Sequence, residues 1–209
     1  AILFTQCLQN DFASLLDKYD PLPNALHVGY AEANRLLGEM AEHGPVYSLI
    51  DWAYHTKRDS LEIIHIRDWH SATSPDQKDH LIQFGPHCIE NSKGAEFVFQ
   101  SRIDQDPSRH YIVNASGLND FIDTNLDEIL QPYKGKKIKV GITGVWTEAK
   151  VTFLCYDLKT RYPEFEIAVC SALTASSSLS MHFIALDQLK HILGVNIFPS
   201  IGSFTQFLT

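Results

Sequence analysis

Several things are scarce in this 209-residue chain, and each scarcity excludes a class of protein. The four cysteines, Cys7, Cys88, Cys155 and Cys170, are widely spaced and form no CxxC pair. Disulfide frameworks belong to short secreted chains, so reduced thiols and a cytoplasmic setting are expected, with Cys155 and Cys170 as small core residues. No apolar run approaches the roughly 18 residues that cross a bilayer. The start, Ala1-Ile2-Leu3-Phe4-Thr5, has neither a basic n-region nor a small-residue cleavage site, and does not read as a signal peptide. Positive charge is also scarce: 17 Lys and Arg against 25 Asp and Glu give a net charge of -8, which disfavours a nucleic-acid surface. The densest basic cluster, Lys134-Gly135-Lys136-Lys137, reads as a solvated turn before a strand. What remains, 44% hydrophobic and 20% charged residues, describes an ordinary globular chain. Its length suits one domain over residues 1–209. It opens without Met inside an apparent strand, which predicts a domain cut from a longer protein.

Short β-rich runs alternate with helical patterns. Residues 2–5, 62–66, 111–113, 138–142, 165–169 and 195–197 are apolar, β-branched and bounded by turn or charged residues, and each predicts a strand. Between them, Tyr30, Ala33, Leu36, Leu37 and Met40 recur at helix spacing, and Gly44-Pro45 closes that segment. A second helix is expected from Leu118 to Leu130, a third through Val151, Leu154, Cys155 and Leu158, and a fourth through Phe183, Leu186, Leu189 and Ile192. This rhythm predicts an α/β fold with a mostly parallel sheet covered on both faces. Ligands then bind beyond the carboxyl ends of the strands, in the loops after Thr5, Ile66, Val113 and Ile142. Residues 71–110 lack periodicity, and a loop of that size is expected to be functional or a lid. Ser176-Ser177-Ser178 reads as a capping turn.

Those loops carry Gln9-Asn10-Asp11-Phe12, then Arg67-Asp68-Trp69-His70, Phe84-Gly85-Pro86-His87-Cys88 and Gly94-Ala95-Glu96-Phe97, and finally Thr143-Gly144-Val145-Trp146-Thr147-Glu148. In this order and spacing, from Ile2 to about Phe198, the series resembles the isochorismatase-like cysteine hydrolases, and especially their nicotinamidase branch. The resemblance implies a Rossmann-like three-layer α/β/α sandwich with about six strands. It also implies a cysteine nucleophile served by an aspartate and a lysine, since a thiolate must form near neutral pH and the leaving group must be protonated.

All three of those positions hold other residues. Cys7 stands where the aspartate belongs, two residues before Gln9. Asn114 or Ala115 stands in the lysine's place after the third strand, in the stretch ending at Phe121. Lys150 stands in the nucleophile's place, three residues after Thr147. Two readings follow. In the first, the chain is a pseudoenzyme that binds a small molecule, a metal or a protein partner. In the second it is a working hydrolase of an amide or isochorismate-type bond, in which Lys150 lowers the pKa of Cys7 across the pocket; Glu148 and Asp11 are the nearby carboxylates. The metal positions survive: the resemblance assigns Asp68, His70 and His87 to a divalent cation, with zinc, iron or manganese suited to one carboxylate and two imidazoles. His80 and Asp76 are candidate extra ligands. The resemblance further implies a cis bond at Val145-Trp146 and a homo-oligomer. Phe12, Trp69, Val145 and Trp146 are candidate pocket walls.

Overall fold

In the computed structural model, which describes residues 1–209, the six predicted runs form one sheet: β1 (Ile2–Gln6), β2 (Glu62–Asp68), β3 (Tyr111–Ala115), β4 (Lys139–Val145), β5 (Glu166–Ala175) and β6 (Asn196–Phe198). Every neighbouring pair is parallel, in the order β3-β2-β1-β4-β5-β6. Parallel strands need crossovers, so helices cover both faces. The helices are α1 (Asn10–Ala13), α2 (Tyr30–Leu37), α3 (Pro45–His55), α4 (Lys78–Phe84), α5 (Gln100–Gln105), α6 (Leu126–Leu130), α7 (Thr152–Arg161), α8 (Leu179–His191) and α9 (Ile201–Leu208). Two apolar cores result. One gathers Leu3, Leu49, Ile50, Phe97 and Phe204; the other gathers Phe4, Ile64, Val140, Leu154 and Leu189 on the opposite face. The architecture is the expected α/β/α sandwich. No helix is long and apolar enough to cross a membrane.

The boundaries differ where capping outweighs periodicity. Gly38 ends α2, and Gly44-Pro45, read as a stop, instead opens α3 with Pro45 in its first turn. The helix expected over Leu118–Leu130 is confined to Leu126–Leu130. Upstream, the Asn119 side chain accepts from the Phe121 N–H and Asp123 takes a left-handed φ of 55°, so the chain turns there and delivers Asp120 inward. The long aperiodic stretch contains α4 and α5, too short to show a period. Ser178 caps α8 as expected, its hydroxyl accepting from the Met181 N–H. Phe183 and Ile192 of that helix are exposed; Ala185 and Leu189 face the core.

The order of connections reverses between β1 and β4, which are neighbours in the sheet. At such a switch point the outgoing loops splay apart and leave a crevice. Its floor depends on Gly144, which has φ 131° and sits opposite Gln6; a Cβ there would lie 2.0 Å from the Gln6 carbonyl oxygen. Gly144→Ala is therefore expected to cost at least about 3 kcal/mol, combining overpacking with a φ closed to L side chains. Urea denaturation measures it; an unchanged midpoint would mean that β1 and β4 part without penalty.

Candidate functional site

The crevice is floored by a buried charged cluster. Past β1, Cys7 adopts a left-handed φ of 50°, and its thiol donates to Asp68 Oδ1 at 3.4 Å while accepting from Gln6 Nε2 at 3.3 Å. Asp68, the last residue of β2, is clamped at its backbone by Gln9: Asp68 N donates to Gln9 Oε1 at 2.8 Å and Gln9 Nε2 donates to Asp68 O at 2.7 Å. Asp11 braces the neighbouring loop by accepting from the Cys88 N–H at 2.7 Å. The Gly94 of the later motif has a steric reason, because a Cβ there would stand 2.2 Å from the Asp11 carboxylate.

Lys150 enters from a wide π-helical turn, Thr147–Val151, between β4 and α7. Its ammonium donates to Gly117 O at 2.7 Å and Asp120 Oδ1 at 2.5 Å, and lies 3.2 Å from Asp68 Oδ1. Two of its three protons are hydrogen-bonded, and Asp68 shares the charge as an ion pair. Burial alone would discharge this lysine, but Asp120 and Asp68 outweigh it and raise its pKa. Burial likewise pushes Asp68 up, yet Lys150, then His70 and His87, hold it well below the usual carboxylate range. Asp120 shifts the other way: its burial exceeds the help from Lys150, and its Oδ2 is buried with no partner. The two ends of this ion pair thus both shift up, because Lys150 answers to two carboxylates and Asp120 to one cation. Lys150 remains an ammonium on either account. Burial, then Asp68, drives the Cys7 thiol well above its ordinary pKa, against the smaller pull of Lys150. Cys7 is a neutral thiol at pH 7.

Above the floor, the ring nitrogens of His70, His80 and His87 lie within 4.8 Å of one another. Asp68 Oδ2 is 3.7 Å from His70 Nε2 and 3.6 Å from His87 Nε2, too long for hydrogen bonds and short enough for ligands sharing one cation. His87 Nδ1 meets Gly85 O at 2.7 Å and must donate to it, which leaves its Nε2 lone pair free. His70 Nδ1 faces Gln77 Oε1 at 3.3 Å in the same sense, and its Nε2 is buried without a partner, as is Nε2 of His80. Burial, reinforced by the neighbouring imidazoles, lowers His80 to about 4, so it is neutral at pH 7. Converging ring nitrogens, those of His70 and His80 buried without a partner, beside an ionised carboxylate fit a divalent cation with a second shell already in place. Asp76 is exposed and does not join them; the useful residue of its turn is Gln77.

Phe12, Leu26, Phe84, Leu118, Val145 and Trp146 wall the pocket, with Cys7, Asp68, His80, His87 and Lys150 at its base. The Val145-Trp146 peptide is cis, and the Trp146 indole donates to Leu26 O at 3.1 Å. Two expected residues lie elsewhere. Asn114 is exposed and accepts from Arg67 Nε at 2.8 Å, because alternation along β3 turns it away from the pocket and Ala115 inward. Trp69 points away likewise and stacks under Arg67. Glu148 binds the Ser177 backbone and leaves the cluster. The carboxylate nearest Lys150 is Asp120, which the sequence reading missed. Its one signal was position, directly before the Phe121 that marked the end of the motif.

Comparison with known proteins agrees with this fold. Residues 8–197 match the isochorismatase domain, and the chain belongs to that family. A nicotinamidase/pyrazinamidase from Bacillus subtilis superposes with a TM-score of 0.75 at 17% identity, covering 94% of this chain and 98% of that one. An isochorismatase-like hydrolase from Alkaliphilus metalliredigens gives 0.73 at 20% identity, over 98% and 97%. A pyrazinamidase of Pyrococcus horikoshii, solved in complex with zinc, gives 0.67 at 22% identity, over 94% and 97%. No curated protein matches the chain significantly.

Proposed function

We propose that this chain is a non-hydrolytic member of its family, and that its pocket binds a small, largely apolar molecule over a divalent cation. One observation carries the reading. At the position where the resemblance calls for a nucleophilic cysteine stands Lys150, a buried ammonium hydrogen-bonded to Asp120 and Gly117 and ion-paired with Asp68. An engaged, charged lysine is neither a nucleophile nor a proton acceptor. Cys7 does not replace it, since burial and Asp68 keep its proton on.

Asp68, His70, His80 and His87 would hold the cation, which would supply an electrophilic centre for a carbonyl or similar oxygen of the ligand. The chain's own residues do the rest. Phe12, Leu118 and Trp146 give an apolar wall for a ring or short alkyl group and exclude water from the base. Lys150 fixes Asp68 in its ionised form.

A second reading rests on a different observation. Cys7, Lys150 and Asp120 together supply the same three functional groups as the family's cysteine, lysine and aspartate, with each group moved to another position. In that reading Asp120 is the missing carboxylate and Cys7 the nucleophile.

One experiment separates the two. Metal-supplemented protein is incubated with nicotinamide and pyrazinamide, and iodoacetamide labelling of Cys7 is followed at pH 7.5. The first reading expects no ammonia release and labelling of Cys7 at least about 100-fold slower than a free thiol, as its raised pKa and burial dictate. Turnover abolished by Cys7→Ser, together with fast labelling, would overturn it in favour of the permuted site.

A further inference from the structure

Arg67 is the one arginine that neither pairs with a carboxylate nor donates from its terminal nitrogens to the chain. Arg35, Arg102 and Arg161 pair with carboxylates, while Arg58 and Arg109 donate to backbone carbonyls. Arg67 forms no ion pair. Its guanidinium lies 3.8 Å over the Trp69 ring, with Phe97 behind it at 5.6 Å, and its Nε donates to Asn114 Oδ1 at 2.8 Å. These contacts hold the plane of the guanidinium and leave the Nη1/Nη2 edge open. Because Asn114 uses its oxygen on Arg67, its amide nitrogen also points outward as a donor with no partner in the chain. Arg67 lies near the carboxyl end of β2 and Asn114 near that of edge strand β3, side by side in register. None of the three residues lines the pocket.

The chemistry of this surface is one-sided. Its side chains offer unpaired donors and a positive charge, with Asn114 Oδ1 already taken by Arg67, in a chain of net charge -8 that has 25 carboxylates. A flat guanidinium, fixed by stacking and by one hydrogen bond, presents two parallel N–H donors that match the two oxygens of a carboxylate or phosphate. We propose that Arg67, Asn114 and Trp69 form a second binding site, for the oxyanion of a small molecule, on the outer side of the sheet edge and separate from the pocket.

The test is an NMR titration of the indole N–H signals with sodium benzoate and, separately, inorganic phosphate, at constant ionic strength. Trp69 is assigned by Trp69→Phe; Trp52 and Trp146 are internal references. The Trp69 signal is expected to shift saturably with at least one of the two anions while Trp146 stays still, and the anion that acts identifies the source as carboxylate or phosphate. Arg67→Gln should abolish saturation. Arg67→Lys should weaken binding by roughly tenfold, since it keeps the charge and loses the fork. An unshifted or linearly drifting Trp69 signal with both anions, or an Arg67→Gln protein that saturates like the parent, would overturn the proposal. Unchanged Trp52 and Trp146 signals in the variants show that the fold is intact.

Discussion

Lys150→Met is expected to lose about 3–5 kcal/mol of folding stability at pH 7, the range for breaking a buried ion pair by removing one partner. Methionine fills most of the volume, so the loss is electrostatic. Asp68 and Asp120 would be left as two buried carboxylates on one site, their common cation gone, with Asp120 already carrying an unpartnered oxygen. The pH dependence gives the sharper check. In the parent, Asp68 has a depressed folded pKa, so its contribution is present above about pH 4 and is lost as pH falls through that lower value. In the variant both carboxylates have raised folded pKa values. The folded state then binds protons more tightly than the unfolded one, and stability rises as pH falls. The gap between parent and variant should narrow from pH 8 to pH 5 in urea denaturation. A gap that stays constant would mean that lost packing, not charge, causes the defect.

His70→Ala is expected to weaken zinc binding by more than about 100-fold, because even second-shell changes cost 10–100-fold. Protein purified without chelator and analysed by mass spectrometry should carry near-stoichiometric zinc, iron or manganese, and the variant little. Gln77→Ala separates ligand from support: Gln77 Oε1 faces His70 Nδ1 and accepts from the Ser71 N–H, so its loss should cost roughly 10–100-fold and spare the fold. Affinity should fall with pH, since protons compete for the same nitrogens. His87 yields before His80, because the nearby Asp68 carboxylate and the hydrogen bond to Gly85, outweighing burial, raise its pKa, while His80 resists to about 4. Metal absent from both parent and variant, even after incubation with zinc, would remove the cation from the proposed function and leave the pocket as an interaction scaffold.

The sequence by itself determined the layers. Six apolar, β-branched runs separated by helical patterns can satisfy their backbone groups and bury both faces only as a parallel sheet between helices. The ordered motifs located the site, because in such sheets the loops after the strands converge at the switch point. Spacing also put Asp68 and His70 on one face, since residues two apart in extended chain point the same way.

The tertiary structure alone decided the chemistry inside that site. Residue type showed Cys7 in the aspartate's place and Lys150 in the nucleophile's; whether the lysine activates the thiol depends on what else reaches its ammonium. Asp120 does, and it arrives from a loop that periodicity read as helix. A hydrogen bond that Asn119 Oδ1 accepts from the Phe121 N–H and a left-handed Asp123, both invisible to a 3.6-residue pattern, bend that chain inward. Burial then keeps the thiol neutral, while Asp120 and Asp68, against burial, keep the ammonium charged. The same holds for His80, one polar residue among many in a long loop until α4 folds it against His70 and His87. Strand alternation is local and legible in sequence. The meeting of groups 30 and 61 residues apart depends on desolvation and turn geometry, which only the folded chain supplies.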